Sequence, residues 1–260
     1  VSTARIIAIV NQKGGVGKTT TAVNLAAALT LANQKVLLVD IDPQGNASTG
    51  LGVHSASRDV TIYEVLVDGR DASEAFTQTD VPGLTLIPSH MDLSGAELEI
   101  GATEGRTSRL QKALAPHHED FDYILIDCPP SLSLLTVNSL VAAHSVIVPL
   151  QCEFFALEGL SQLLRTIEMA KANINPSLVI DGVMLTMYDK RNRLSAQVTQ
   201  DVRKHLGRAV FKTIIPRNVR IAEAPSFGKP VLMYDPDCIG STAYKNLAKE
   251  LLIRHGRMAN

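Results

Sequence analysis

The ten residues Asn11 to Thr20, NQKGGVGKTT, constrain this chain more than any other stretch. They separate an apolar run, Ile6 to Val10, from an alanine-rich stretch, Ala22 to Leu29, which gives the order strand, glycine-rich loop, helix. Glycines there let successive backbone N–H groups turn toward one anion, and the helix behind them adds its positive end. Gly14, Gly15, Val16, Gly17, Lys18, Thr19 and Thr20 thus read as a phosphate cradle, with Lys18 reaching the terminal phosphates and Thr19 offering its hydroxyl to Mg²⁺. The usual pattern is G-x-x-x-x-G-K-[ST]; here Gln12 replaces the first glycine and Lys13 follows it. A loop lysine is commonly a solvated charge. This one immediately precedes the paired glycines, within reach of a phosphate.

At 260 residues the chain is long enough for one large α/β domain, and a single domain over residues 1–260 is expected. Hydrophobic residues make up 45% and charged residues 20%, a globular balance, and no apolar run approaches the roughly 20 residues of a membrane helix. No secretory leader is evident, and the three cysteines, Cys128, Cys152 and Cys238, are far apart and odd in number. The expectation is a soluble cytoplasmic protein without a disulfide framework. A net charge of −1 excludes wholesale attraction to polyanions, so any nucleic-acid site must be a local patch.

Strands are predicted at Ile6 to Val10, Val36 to Asp40, Leu84 to Pro88, Tyr123 to Asp127, Val146 to Leu150, Val179 to Leu185 and Val210 to Ile215. Helices are predicted between and after them, at Thr20 to Ala32, Ser108 to Leu114, Leu134 to Ala142, Leu157 to Lys171, Ser195 to Leu206 and Thr242 to His255. The polar segment His54 to Asp80 reads as a small helical excursion. Such alternation predicts a single doubly wound, mostly parallel sheet flanked by helices, with near-continuous apolar strands buried on both faces.

Ligands of open parallel sheets bind beyond the carboxyl ends of the strands, and the acids fall there. Asp40 and Asp42 follow the second strand in VLLVDIDPQGN, and Asp127 closes the strand in DYILIDCPP. A carboxylate so placed holds Mg²⁺ directly or through its water; for Asp40 a turn-capping role is the competing explanation. The turn at Pro43, Gly45 and Asn46 would hold Asp42 near the terminal phosphate.

These segments, together with DCPPSL (Asp127 to Leu132), LQCEFFALEGLSQL (Leu150 to Leu163), LTMYDKR (Leu185 to Arg191) and IPRNVRIAEAPSFGKPVLMYDP (Ile215 to Pro236), resemble the ParA/Soj family of partition ATPases over nearly the whole chain. That family lies within the deviant-Walker class of P-loop NTPases. The likeness is greatest to the chromosomal branch, whose members begin close to the phosphate loop. The resemblance implies ATP and Mg²⁺ as cofactors and an ATP-sandwiched homodimer in which Lys13 crosses to the partner's nucleotide. It implies that Lys18 contacts the β- and γ-phosphates, Thr19 ligates Mg²⁺, Asp42 positions the attacking water, Asp127 holds a metal-bound water and Asp40 stands behind them. Adenine contacts fall by the same resemblance near Pro216, Arg217, Asn218 and Met187, and Glu153 is a candidate for contacts across the dimer.

The family also binds double-stranded DNA without sequence preference and answers to a ParB-type centromere-binding partner, which implies a nucleoid-associated protein. Basic residues gather at Lys190, Arg191 and Arg193 and at Arg217 and Arg220, and Arg191 and Arg220 match the family's DNA-contacting arginines. Each is otherwise an ordinary surface charge. Two weak patches held rigidly in one dimer would gain avidity, so dimerisation would control DNA affinity.

Three other functions compete. A MinD-like membrane-associated positioning ATPase would use the stripe Tyr244, Leu247, Ala248, Leu251 and Leu252 as an amphipathic anchor, whereas such a stripe ordinarily docks on the chain's own core. An iron–sulfur carrier resembling the nitrogenase iron protein would need cysteines placed for a cluster, and Cys128 and Cys152 read instead as small buried hydrophobes. A GTPase would carry N-K-x-D, of which Thr186 to Asp189 retains only the aspartate.

Overall fold

The computed structural model describes residues 3–153 and 156–258; Phe154 and Phe155, within one of the motifs above, lie outside them. Eight strands form one sheet: β1 (Arg5–Ile9), β2 (Val36–Asp40), β3 (Thr77–Gln78), β4 (Leu84–Ile87), β5 (Tyr123–Asp127), β6 (Ser145–Gln151), β7 (Val179–Tyr188) and β8 (Val210–Pro216). Their spatial order is β3-β4-β2-β5-β1-β6-β7-β8, and every pairing is parallel except β3 with β4. The chain moves outward from β1 to one side through β2 and β4, returns to β5, and then crosses to build the other side. The reversal falls at β1, so the loop leaving β1 opens at the switch point where open α/β sheets bind ligands.

The helices are α1 (Lys18–Leu31), α2 (Asn46–Gly50), α3 (Ile62–Leu66), α4 (Leu93–Ile100), α5 (Arg109–Leu114), α6 (Leu134–Ala142), α7 (Ala156–Asn173), α8 (Arg193–Leu206), α9 (Val219–Glu223), α10 (Val231–Tyr234) and α11 (Ile239–Arg254). Successive strand side chains point to opposite faces, and the core divides accordingly. Ile6, Ala8, Leu37, Val39, Ile124 and Ile126 pack with α3 to α8, whereas Ile7, Ile9, Val36, Leu38 and Leu125 pack with α1, α10 and α11.

All seven predicted strands and six predicted helices form, with ends shifted by up to three residues. The excursion after His54 contains α3 with short 3₁₀ turns, and it also carries β3, too short to show a period. On α11, Tyr244, Leu247, Ala248, Leu251 and Leu252 are all buried against the sheet. The stripe is therefore a docking face, and no helix among the described residues is long and apolar enough to cross a membrane. Because Leu247 is fully buried, Leu247→Ala should cost about 2–5 kcal/mol by loss of transfer energy plus a cavity. Urea unfolding measures this directly; a cost below about 1 kcal/mol would mean that α11 is not integral to the core.

Candidate active site

The loop after β1 begins with side-chain ties. Asn11 donates from Nδ2 to the Pro149 carbonyl at 2.7 Å and accepts the Lys13 N–H on Oδ1 at 3.0 Å. Gly15 and Gly17 then take φ of 73° and 91°, the left-handed region that side-chain-bearing residues rarely enter. Gly17 leads straight into α1 with no side-chain cap, which leaves the first N–H groups of that helix to point at an anion. Thr186 Oγ1 donates to the Val16 carbonyl at 2.8 Å, binding the loop to the end of β7.

Lys18 is buried, and its Nζ donates to the Lys13 carbonyl at 3.0 Å. Burial pulls its pKa below the usual lysine value, against the opposing charges of Asp127, Cys128 and Asp42. Asp40 and Asp127 lie side by side at the ends of β2 and β5, and Asp127 also pairs in register with Ile9 at the end of β1. Three neighbouring strand ends thus bring the loop and two carboxylates together.

The carboxylates differ in what they do. Asp40 Oδ2 accepts the Ser48 N–H at 2.8 Å and its hydroxyl at 2.7 Å, and Oδ1 accepts the Asp42 N–H at 3.3 Å. Burial pushes its pKa up to about 6 despite those bonds. Asp40 therefore pins the turn that presents Asp42. Asp127 is fully buried with neither carboxylate oxygen hydrogen-bonded. Burial, then the charge of Asp40, lifts its pKa well above the ordinary range, against the pull of Thr19 and Lys18. An orphaned pair of hard oxygens, beside a threonine hydroxyl and amid more carboxylates than cations, is a donor set that suits a divalent cation.

A cavity of about 510 Å³ opens over the loop. Gly14, Gly15, Gly17, Lys18, Thr19, Thr20, Asp42 and Met187 line it, as the sequence leads one to expect. Met187 has φ 51° at the end of β7, an unusual conformation for a residue with a side chain, and its methyl group comes close over Gly17. Pro216, Arg217 and Asn218 are not among the lining residues. The Arg217 N–H is held by the Tyr188 carbonyl at 2.9 Å, and Asn218 caps α9 through the Ile221 N–H at 3.3 Å.

Pro225 and Lys229 line the cavity instead, with Asn24, Asn46 and Thr49. A backbone contact brings that distant segment in: a Cβ on Gly228 would stand 2.7 Å from the Gly52 Cα, so only glycine permits the approach. Asn24 is buried, donating to the Thr20 carbonyl at 2.8 Å and accepting the Val231 N–H at 2.7 Å. Nothing in the local sequence around Lys229 signals its place here; it follows from the fold.

Cys128 and Cys152 are buried, and Cys128 is pushed up to about 12 by burial, which keeps it an un-ionised thiol. Among the described residues no cluster of His, Cys, Asp and Glu is arranged to hold a metal by itself. Both basic candidates outside the cavity are ion-paired. Arg191 grips Asp189 at 2.9 and 3.1 Å and draws that carboxylate's pKa down to about 2, while Arg220 pairs with Glu223 at 3.0 Å and Asp235 at 3.2 Å.

The family model described as an AAA domain matches residues 4–180. The chain is 57% identical over 252 residues to the chromosome partitioning protein ParA of Caulobacter vibrioides, covering 96% of this chain and 94% of that one. It is 52% identical over 247 residues to the sporulation initiation inhibitor protein Soj of Bacillus subtilis, covering 95% and 98%. Among solved structures, the cobyrinic acid a,c-diamide synthase of Mycobacterium smegmatis, with bound ADP and magnesium, superimposes with a TM-score of 0.85 at 41% identity, covering 99% and 97%.

Proposed function

The chain belongs to the ParA/Soj family of chromosome-partitioning ATPases, and we propose that it is a Mg²⁺-dependent ATPase whose ATP-bound homodimer holds double-stranded DNA without sequence preference. A ParB-type centromere-binding partner stimulates hydrolysis, and the cycle of binding and release moves replicated origins apart on the nucleoid. The observation that carries this reading is the convergence of an uncapped helix start, the buried Lys18 and Asp42 on one cavity, with the orphaned Asp127 carboxylate buried at the neighbouring strand end.

Phosphoryl transfer asks little covalent chemistry of a protein and much electrostatics, because charge spreads over the equatorial oxygens in the transition state. The N–H groups from Gly15 to Thr19 and the Lys18 ammonium supply fixed positive charge. Thr19 and Asp127, the latter through water, would hold the Mg²⁺, which would neutralise phosphate charge; Asp40 keeps the adjoining turn in place. Asp42 orients the attacking water. Lys13 acts in trans, completing the partner's site in the manner of an arginine finger. The fit of ADP with magnesium in the mycobacterial relative supports the cofactor assignment. Adenine is proposed to lie near Pro216, Arg217, Asn218 and Met187, and Asn24, Pro225 and Lys229, which line the cavity, are proposed as further nucleotide contacts.

DNA is held by Arg191 and Arg220. Both are paired to carboxylates within the chain, so each exchanges an acid for a phosphate, and a single protomer binds weakly. Two protomers joined by ATP combine their contacts. Arg191→Ala or Arg220→Ala should weaken binding equally on unrelated duplexes and lower the log–log salt slope by about 0.9 per lost phosphate contact. Fluorescence anisotropy across a salt series measures it; an unchanged slope removes that arginine from the interface.

A further inference from the structure

The start of the phosphate loop carries a second device, on Lys13 itself. The backbone of Lys13 is fixed on both sides: its N–H goes to Asn11 Oδ1 and its carbonyl takes the Lys18 Nζ, each at 3.0 Å. Asn11 is fastened to Pro149 on β6, and Gln12 donates from Nε2 to Thr166 Oγ1 on α7 at 3.0 Å. None of these ties uses the Lys13 side chain. That side chain forms an ion pair with Glu153, in the turn between β6 and α7. Glu153 is itself held, its N–H by the Gln151 carbonyl at 2.9 Å and its carbonyl by the Ala156 N–H at 3.0 Å.

We propose that Glu153 is a latch: it holds Lys13 within its own subunit and sets the ATP concentration at which dimers form. This inference rests on the reading that Lys13 acts across the dimer. A lysine held by its own chain's carboxylate is withdrawn from a partner's nucleotide, and the pair opens when a stronger anion competes. A triphosphate carries more charge than one carboxylate, so it opens the latch where a diphosphate does so less readily. The pair is weak enough to be opened: Lys13 and Glu153 side chains are 53% and 33% exposed, and exposed pairs contribute a factor of about 1.5 to 5. A dimer opens two, so the factor enters squared. Asn11 and Gln12 stay fastened meanwhile, which confines the switch to one side chain.

The test is Glu153→Gln, which keeps the shape and removes the charge, read by sedimentation of the full chain over an ATP titration. The latch predicts a dimerisation constant about 2- to 30-fold more favourable than in the unaltered chain, with Glu153→Asp falling between the two. In parallel, acetylation of the Lys13 amine without nucleotide, followed by mass spectrometry, should run faster in Glu153→Gln. An unchanged ATP dependence with unchanged labelling overturns the latch, and so does weaker dimerisation, which would place Glu153 among the contacts the dimer requires. Lys13→Ala in the same titration separates the two levels. If it fails to dimerise while Glu153→Gln matches the unaltered chain, the role of Lys13 stands and the latch alone falls; if it dimerises normally, both fall.

Discussion

Lys13→Ala should abolish ATP-dependent dimerisation and lower turnover by about a thousand-fold or more, the range of a cation supplied in trans to phosphoryl transfer. Binding of ATP to a single chain should survive. The N–H groups after Gly15 and the buried Lys18 ammonium remain, and Lys13 is the more exposed of the two lysines, paired to Glu153 and not aimed into its own cavity. Folding should be unaffected, because the Asn11 and Lys18 ties use only backbone atoms of Lys13. Sedimentation with ATP, beside phosphate release, checks both halves. A variant with normal turnover would leave Lys13 a solvated loop charge.

Asp42→Ala should act in the opposite sense on the dimer. Asp42 lies at the cavity wall, almost buried, and its Oδ1 accepts the Gln44 N–H at 3.0 Å, so the carboxylate is oriented before substrate arrives. Losing a positioned group of this kind lowers a hydrolytic step by about 10²- to 10⁴-fold. Nucleotide contacts from the loop are untouched. The expected result is a protein that binds ATP, dimerises and remains dimeric, because the step that ends the dimer no longer runs. The turn itself should hold, since Asp40 retains its two bonds to Ser48. Single-turnover kinetics and sedimentation after ATP addition test it. Normal hydrolysis, or failure to dimerise, would contradict the assignment of water positioning to Asp42.

Features whose signal is local were readable from sequence. The apolar runs of β1, β2, β5 and β6 are buried on both faces of the sheet and so show no alternation to misread. The phosphate loop declares itself by its glycines, Asp40 and Asp127 by closing apolar strands, and Asp42 by following the first of these at a turn. What was missed depends on the assembled fold. The two-residue β3 exists because Thr77 and Gln78 find β4 as an antiparallel partner. Helix α2 starts from a left-handed glycine, Gly45, inside what reads as a turn. Lys229 reaches the cavity only through the Gly228–Gly52 approach. The pairing of Lys13 with Glu153, and of Arg220 with Asp235, joins residues whose nearness no spacing rule announces. The adenine contacts at Pro216 to Asn218 come from resemblance and not from residue chemistry, and those residues do not line the cavity.

The ATP-gated DNA dimer is the central claim, and its most direct measurement is binding to several unrelated duplexes at one fixed salt concentration. It should be made with ATP, ADP, GTP or no nucleotide, using Asp42→Ala to slow turnover. The account predicts tight binding with ATP alone, equal across sequences. Binding that ignores nucleotide, or no binding in any state, would contradict it.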